Sequence, residues 1–228
     1  MVNKYCLVIA KDYWGTLMAV ETGKKIYDFF ISYELINGEH STFVIGDSVS
    51  CSSVISSYKD NIQRLKEPNT ILYVVMIGHG NQISDINSDE LDGKDEIYQL
   101  PDGNITDDLL TNIIDEDIMD STSLLVLISD HCSSGTMLDR HLISKSNWVN
   151  IASSLDYEDS YSSGEGNVMI NCLLSVLDKE KDNIHELTIL DIKNKLDIEM
   201  KESFIGELQH SCVSVSDDTI WDRKFIPI

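Results

Sequence analysis

Residues 124–135, Leu-Leu-Val-Leu-Ile-Ser-Asp-His-Cys-Ser-Ser-Gly, constrain the fold more than any other stretch. An unbroken run of Leu, Val and Ile of this length reads as a fully buried strand. It stops at Asp130, and Cys132 then opens a small, turn-prone loop of Ser133, Ser134 and Gly135. Residues 71–80, Ile-Leu-Tyr-Val-Val-Met-Ile-Gly-His-Gly, repeat the design upstream, with His79 between two glycines. In an open α/β sheet the loops at the carboxyl ends of strands carry the site. Two such ends, one offering a thiol and one an imidazole, are what a cysteine nucleophile with a histidine base requires.

The elements around these two strands fit a parallel sheet. Residues 5–10 form a first strand, and helical spacing of Ile26, Phe29, Phe30 and Tyr33 predicts a helix over 17–36. A short strand at 42–45 and a helix over 50–65 precede the His79 strand. Strand, helix, strand, helix, strand predicts right-handed crossovers. Residues 81–104 read as one long acidic loop, and Thr106 as the N-cap of a third helix. Beyond the Cys132 strand come a strand at 148–153, helices over 166–177 and 188–200, and a last strand at 212–215. The fold class is therefore α/β, a central, mostly parallel sheet of about six strands flanked by helices in one domain over residues 1–228.

His79 precedes Cys132 by 53 residues. With Gly78-His79-Gly80 after one apolar strand and Asp130-His131-Cys132-Ser133-Ser134-Gly135 after the next, the chain resembles the metacaspases. These are caspase-like cysteine peptidases whose usual patterns are Y-S-G-H-G and D-x-C-H-S-G. Two residues depart from them: Ile77 stands for Ser, and Ser133 for His. The resemblance implies a caspase-like three-layer sandwich and a Cys132–His79 dyad without a third member. It also implies an oxyanion hole from the backbone N–H groups of Gly80 and Cys132. The closing Arg223-Lys-Phe-Ile-Pro-Ile looks like the family's C-terminal strand. A compact form, active as one uncleaved chain and monomeric, is expected. The alternative is a catalytically inactive caspase-like protein that binds calcium or a partner.

Charge narrows the partners. A net charge of −22 argues against nucleic acid or an anionic membrane surface and favours basic peptides or a divalent ion. No apolar run approaches the roughly 18 residues of a membrane span, and the N-terminus lacks a signal-peptide pattern. Cys6, Cys51, Cys132, Cys172 and Cys212 are scattered, without a C-x-x-C pair. That fits a reducing, cytoplasmic setting and no zinc site.

By resemblance, acids select Arg or Lys at the cleaved bond. Asp130, two residues before the nucleophile, is one pocket acid, and Glu21 is the nearest candidate for a second. Asp156 and Glu158 lie in a stretch, 153–161, that borders the substrate in the family. The family's calcium ligands correspond here to Asp95 of the Asp92-Gly-Lys-Asp-Glu96 run, Asp107 and Asp108 at a helix start, and Asp139. Oxygen ligands of this kind suit a hard cation. Asp107 and Asp108 also suit a helix N-terminus with no metal at all.

Overall fold

The apolar strands are buried on both faces because the two sets of side chains along each one meet different helices. The structure, a computed structural model, describes residues 2–13, 18–36, 38–85, 93–116, 119–138, 146–205 and 207–228. The chain runs β1 (Asn3–Ala10), α1 (Ala19–Ser32), β2 (Ser41–Ile45), α2 (Cys51–Ile62), β3 (Thr70–Ile77), β4 (His79–Ser84), β5 (Lys94–Leu100), β6 (Gly103–Thr106) and α3 (Asp107–Glu116). It continues through β7 (Leu124–Asp130), β8 (Trp148–Ala152), the two-residue strands β9 (Ser162–Ser163) and β10 (Gly166–Asn167), α4 (Val168–Lys179), α5 (Ile189–Glu202) and β11 (Cys212–Val215).

Six strands form the central sheet in the order β11-β8-β7-β3-β1-β2. All neighbours are parallel except β11, which closes one edge antiparallel to β8. Along β3, Tyr73, Val75 and Ile77 join the core under α1, α4 and α5, and Leu72, Val74 and Met76 join the core under α2 and α3. This is why β3 and β7 read as continuous apolar runs rather than alternating ones. The helices are set by local signals as well: Ser50 and Thr188 accept the N3 backbone N–H of α2 and α5. The expected three-layer arrangement and the predominantly parallel six-stranded sheet are both present.

Two expectations are corrected. Residues 81–104 are not one loop. β4, β5 and β6 pair antiparallel into a separate three-stranded sheet, and residues 86–92 lie outside the described residues. Acids hid these strands, since Asp95 and Glu96 are buried in β5 where a period-two pattern would place apolar side chains. The C-terminus is not a strand either. Lys224 makes one isolated bridge to Thr188, while Phe225 is fully buried and its carbonyl accepts from the Tyr73 hydroxyl at 2.6 Å. Pro227 has no N–H with which to extend a ladder.

The sheet order places a site. Leaving β1, the chain first adds β2 on one side and then β3 on the other, so the connections diverge between β1 and β3. Crevices at such switch points, outside the carboxyl ends of strands, bind ligands.

Candidate active site

Register brings the two proposed catalytic groups to one level. Ile77 of β3 pairs with Asp130 of β7, and His79 and Cys132 each lie two residues beyond that pair. The Gly78 N–H donates to the Asp130 carbonyl at 3.3 Å, so the chains leave the sheet side by side. Gly80 then runs against the nucleophile loop: a Cβ there would stand 2.1 Å from the Cys132 carbonyl oxygen. Four neighbouring parallel strands end on this side of the sheet. β1 leads to Tyr13, β3 to His79, β7 to Cys132 and β8 to the 153–161 segment.

The nucleophile loop is held by hydrogen bonds along its length. Ser153 and Ser154 hydroxyls each donate to the His131 carbonyl at 3.1 Å. Buried Asn150 of β8 donates to the carbonyls of Ser134 and Gly135 at 3.2 and 3.0 Å. Ser133 N–H donates to the Glu158 carbonyl at 3.0 Å. The residue that departs from the metacaspase pattern, Ser133, adopts φ 53°, in the left-handed region. Ile77, the other departure, has no exposure and packs in the core under α1.

Cys132 is half-buried. The Ser160 N–H approaches its sulfur at 3.3 Å, and the Ser160 carbonyl lies 3.9 Å away. Burial pushes the thiol up, the Ser160 N–H opposes that, and the exposed Asp159 carboxylate beside it pushes the same way as burial. The Cys132 backbone N–H donates to no other residue's oxygen among the described residues, as an oxyanion donor must be free to do. His79 is also half-buried, and burial lowers its pKa. Its ring lies against Tyr13, centroids 4.6 Å apart at 57°. The Tyr13 hydroxyl donates to the carbonyl of Gln99, the residue paired with His79 across β4 and β5. Among the described residues no hydrogen bond joins His79 to Cys132.

The acids fall into three places. Asp130 is fully buried beneath the start of α4. It accepts from the Ser160 hydroxyl at 2.7 Å, the Ile170 N–H at 3.2 Å and the Asn167 amide at 3.4 Å. Burial outweighs those donors and pushes its carboxyl up to about 6. Glu158 is pinned by the His210 ring at 2.8 Å and by two backbone N–H groups. Asp156 accepts from Thr136 at 3.1 Å. Glu21 lies exposed in the first turn of α1. Tyr13 and Asn150 were not singled out in the sequence, and nothing local marks them, because they reach the site only through the order of the strands; Asp159 and Ser160 fall in the 153–161 stretch but were not named within it.

Asp95, Glu96 and Asp107 are buried where β5 and β6 lead into α3, and Asp108 is half-buried beside them. Asp107 carboxylate oxygens accept from the N–H groups of Glu96 and Asp108 at 3.3 and 2.8 Å. Burial, with the charges of Glu96 and Asp108 adding, pushes Asp107 up to about 7. Among the described residues no group of three or more His, Cys, Asp or Glu side chains is assembled for a metal, and Asp139 lies outside the described residues.

The caspase-domain family profile matches residues 3–219, and the chain belongs to that family. Within it, the chain is metacaspase-like. It is 30% identical over 142 residues to Metacaspase-1 of Kluyveromyces lactis, covering 55% of this chain and 33% of that one. To Metacaspase-1 of Saccharomyces cerevisiae it is 31% identical over 123 residues, 48% of this chain and 28% of that one. The matched part thus spans a third or less of these relatives' length. A crystal structure of a Geobacter sulfurreducens protein superposes with a TM-score of 0.74 at 16% identity, covering 99% of each chain, a likeness of fold. Among the described residues no helix is long and apolar enough to cross a membrane.

Proposed function

We propose that the chain is a cysteine endopeptidase in which Cys132 attacks the scissile carbonyl and His79 moves the proton. The observation that carries this is the shared level of the two residues beyond the Ile77–Asp130 pair, with Gly80 backed onto the Cys132 carbonyl. His79 accepts the thiol proton as the sulfur–carbon bond forms, then delivers it to the leaving amine as the peptide bond breaks. Water, deprotonated by His79, hydrolyses the acyl-enzyme and releases the thiol. The Cys132 backbone N–H, with that of Gly80, faces the oxyanion. The partner is a basic peptide or protein, met by a monomer in the cytoplasm. Cleavage follows Arg or Lys. In support, Asp159 stands exposed beside the thiol, Asp156 and Glu158 lie on the same segment, and the whole chain is strongly acidic. Asp130 serves the pocket from below, through Ser160. The test is hydrolysis of fluorogenic peptides ending in Arg, Lys or Asp. Cleavage confined to Asp would reverse the sign of the pocket while keeping the dyad.

Calcium is the proposed cofactor, held by Asp95, Asp107, Asp108 and Asp139. The donor set is all carboxylate, which is what a hard divalent cation takes. Burying a carboxylate is costly, and the raised Asp107 reflects that cost. A bound divalent ion would supply positive charge where β5 leads towards α3, next to β4, the strand that carries His79. We expect chelation to lower peptide hydrolysis about tenfold or more, and saturating calcium to stabilise the protein by about 2–4 kcal/mol. Asp107→Asn should lose most of that thermal shift. An unchanged melting temperature with millimolar calcium would exclude the site.

Tyr13 gives a further prediction. Its ring and its bond to Gln99 hold the imidazole in place, so Tyr13→Ala should lower kcat about tenfold at nearly constant KM, whereas Tyr13→Phe, keeping the ring, should lose about threefold or less. Equal losses in both variants would show that the hydroxyl, not the ring, matters.

A further inference from the structure

We propose that His131 is a positioning residue for Cys132: its imidazole fixes the peptide between Cys132 and Ser133 and thereby fixes where the thiol points. The proposal rests on the peptidase reading for its kinetic consequence, although the contact can be tested without it.

The ring is 1% exposed and lies between Tyr98, centroids 5.5 Å apart, and the backbone of Gly80. Its Nδ1 is 3.0 Å from the Cys132 carbonyl oxygen. A carbonyl can only accept, so Nδ1 carries the proton. Nε2, which has no partner among the described residues, is then a lone pair, and a buried unpaired acceptor is better tolerated than a buried unpaired donor. Burial holds the ring's pKa down at about 4, so it stays neutral near pH 7 and the donor remains in place.

The other end of the same peptide, the Ser133 N–H, donates to the Glu158 carbonyl at 3.0 Å. Both polar groups of that peptide are therefore fixed, and the next residue is the left-handed Ser133. A non-glycine residue keeps such a conformation only where its surroundings over-determine it. His131 supplies one of the two restraints. The same ring also fills the space a Cβ at position 80 would need, with Nδ1 2.2 Å from it, so it spaces the His79 segment from the nucleophile loop. The metacaspase pattern has its histidine after the cysteine. Here it stands before, and the structure gives it different work from the base at His79.

The experiment compares the full chain with His131→Leu, which keeps apolar bulk without a donor, and His131→Asn, whose side-chain amide can reach the Nδ1 position. Four quantities are measured: kcat and KM on an Arg- or Lys-terminated peptide, the rate of Cys132 modification by iodoacetamide followed on its own peptide by mass spectrometry, and the melting temperature. The Leu variant should lose kcat about a hundredfold with KM within about twofold, the Asn variant should recover to within about fivefold, and Cys132 modification should change at least about fivefold in Leu alone. Equal loss in both variants, or loss that merely follows the melting temperature, would make His131 a packing residue and overturn the proposal. If the wild type cleaves no peptide, the peptidase reading fails by itself. The iodoacetamide comparison then still decides, and an unchanged rate in the folded Leu variant overturns the positioning role.

Discussion

Cys132→Ala should lower hydrolysis of Arg- and Lys-terminated peptides by about four orders of magnitude or more, because no other group can form the acyl-enzyme. Its fold should survive, since the thiol's polar neighbours are the backbone groups of Ser160 and the exposed Asp159 carboxylate. The wild-type pH profile should show how the dyad works. Burial raises the Cys132 thiol above its ordinary 9.0 and lowers His79 below its ordinary 6.5. Both shifts favour neutral forms, so the resting pair is thiol and imidazole rather than thiolate and imidazolium. Two signs follow. Iodoacetamide modification of Cys132 should be slow at pH 7, rise steadily with pH and reach no plateau below pH 9. The acid limb of kcat/KM, which marks protonation of His79, should fall below pH 6.5, because the folded protein disfavours the imidazolium. Rapid modification with a plateau at pH 6 would establish an ion pair instead. Residual hydrolysis in Cys132→Ala would transfer the chemistry to another group.

How far the site could be read from the chain depended on whether a residue's neighbours are near it in sequence. His79 and Cys132 stand at the ends of apolar runs, and a run that ends in Gly-His-Gly or Asp-His-Cys states its own position. Tyr13 lies on a different strand end from His79, and only the adjacency of β1 and β3 sets the two rings together. Asp159 and Ser160 reach Cys132 because β8 is the next strand over from β7. The central sheet was legible for the same reason as the dyad, since burial on both faces leaves uninterrupted Val, Ile and Leu. The β4–β6 sheet was not. Its first strand, His-Gly-Asn-Gln-Ile-Ser, is mostly polar, and its second begins with Lys, Asp and Glu, the last two of them buried. Carboxylates placed inside for charge rather than packing erase the hydrophobic alternation by which a strand is recognised. Asp130 shows the converse. Its place in the motif suggests a pocket acid, but only the fold shows that it also accepts from Ser160, Asn167 and Ile170, residues that lie 30 or more positions away in sequence.

Gly80→Ala should be the most damaging single-methyl change in the chain. The added Cβ would lie 2.1 Å from the Cys132 carbonyl oxygen and 2.2 Å from His131 Nδ1, where no carbon can sit. Relief by rotation is closed, because the carbonyl is the acceptor of His131 and the ring is packed against Tyr98. One segment must therefore move by about 1 Å, and displacement of that size between base and nucleophile costs about a hundredfold in rate. Forcing extra volume into a packed contact costs about 1–3 kcal/mol besides. Gly164→Ala is the matched control, since a Cβ there meets nothing within 4 Å. It should leave both the rate and the urea midpoint within error of wild type. The decisive comparison is kcat for Gly80→Ala at a temperature well below its own melting point. If that rate equals wild type, the His79 segment and the Cys132 loop tolerate a wider gap than the structure shows, and the spacing of imidazole and thiol is set elsewhere. If the rate falls a hundredfold while the folded fraction stays complete, the close approach of Gly80 to the Cys132 carbonyl is what sets that spacing.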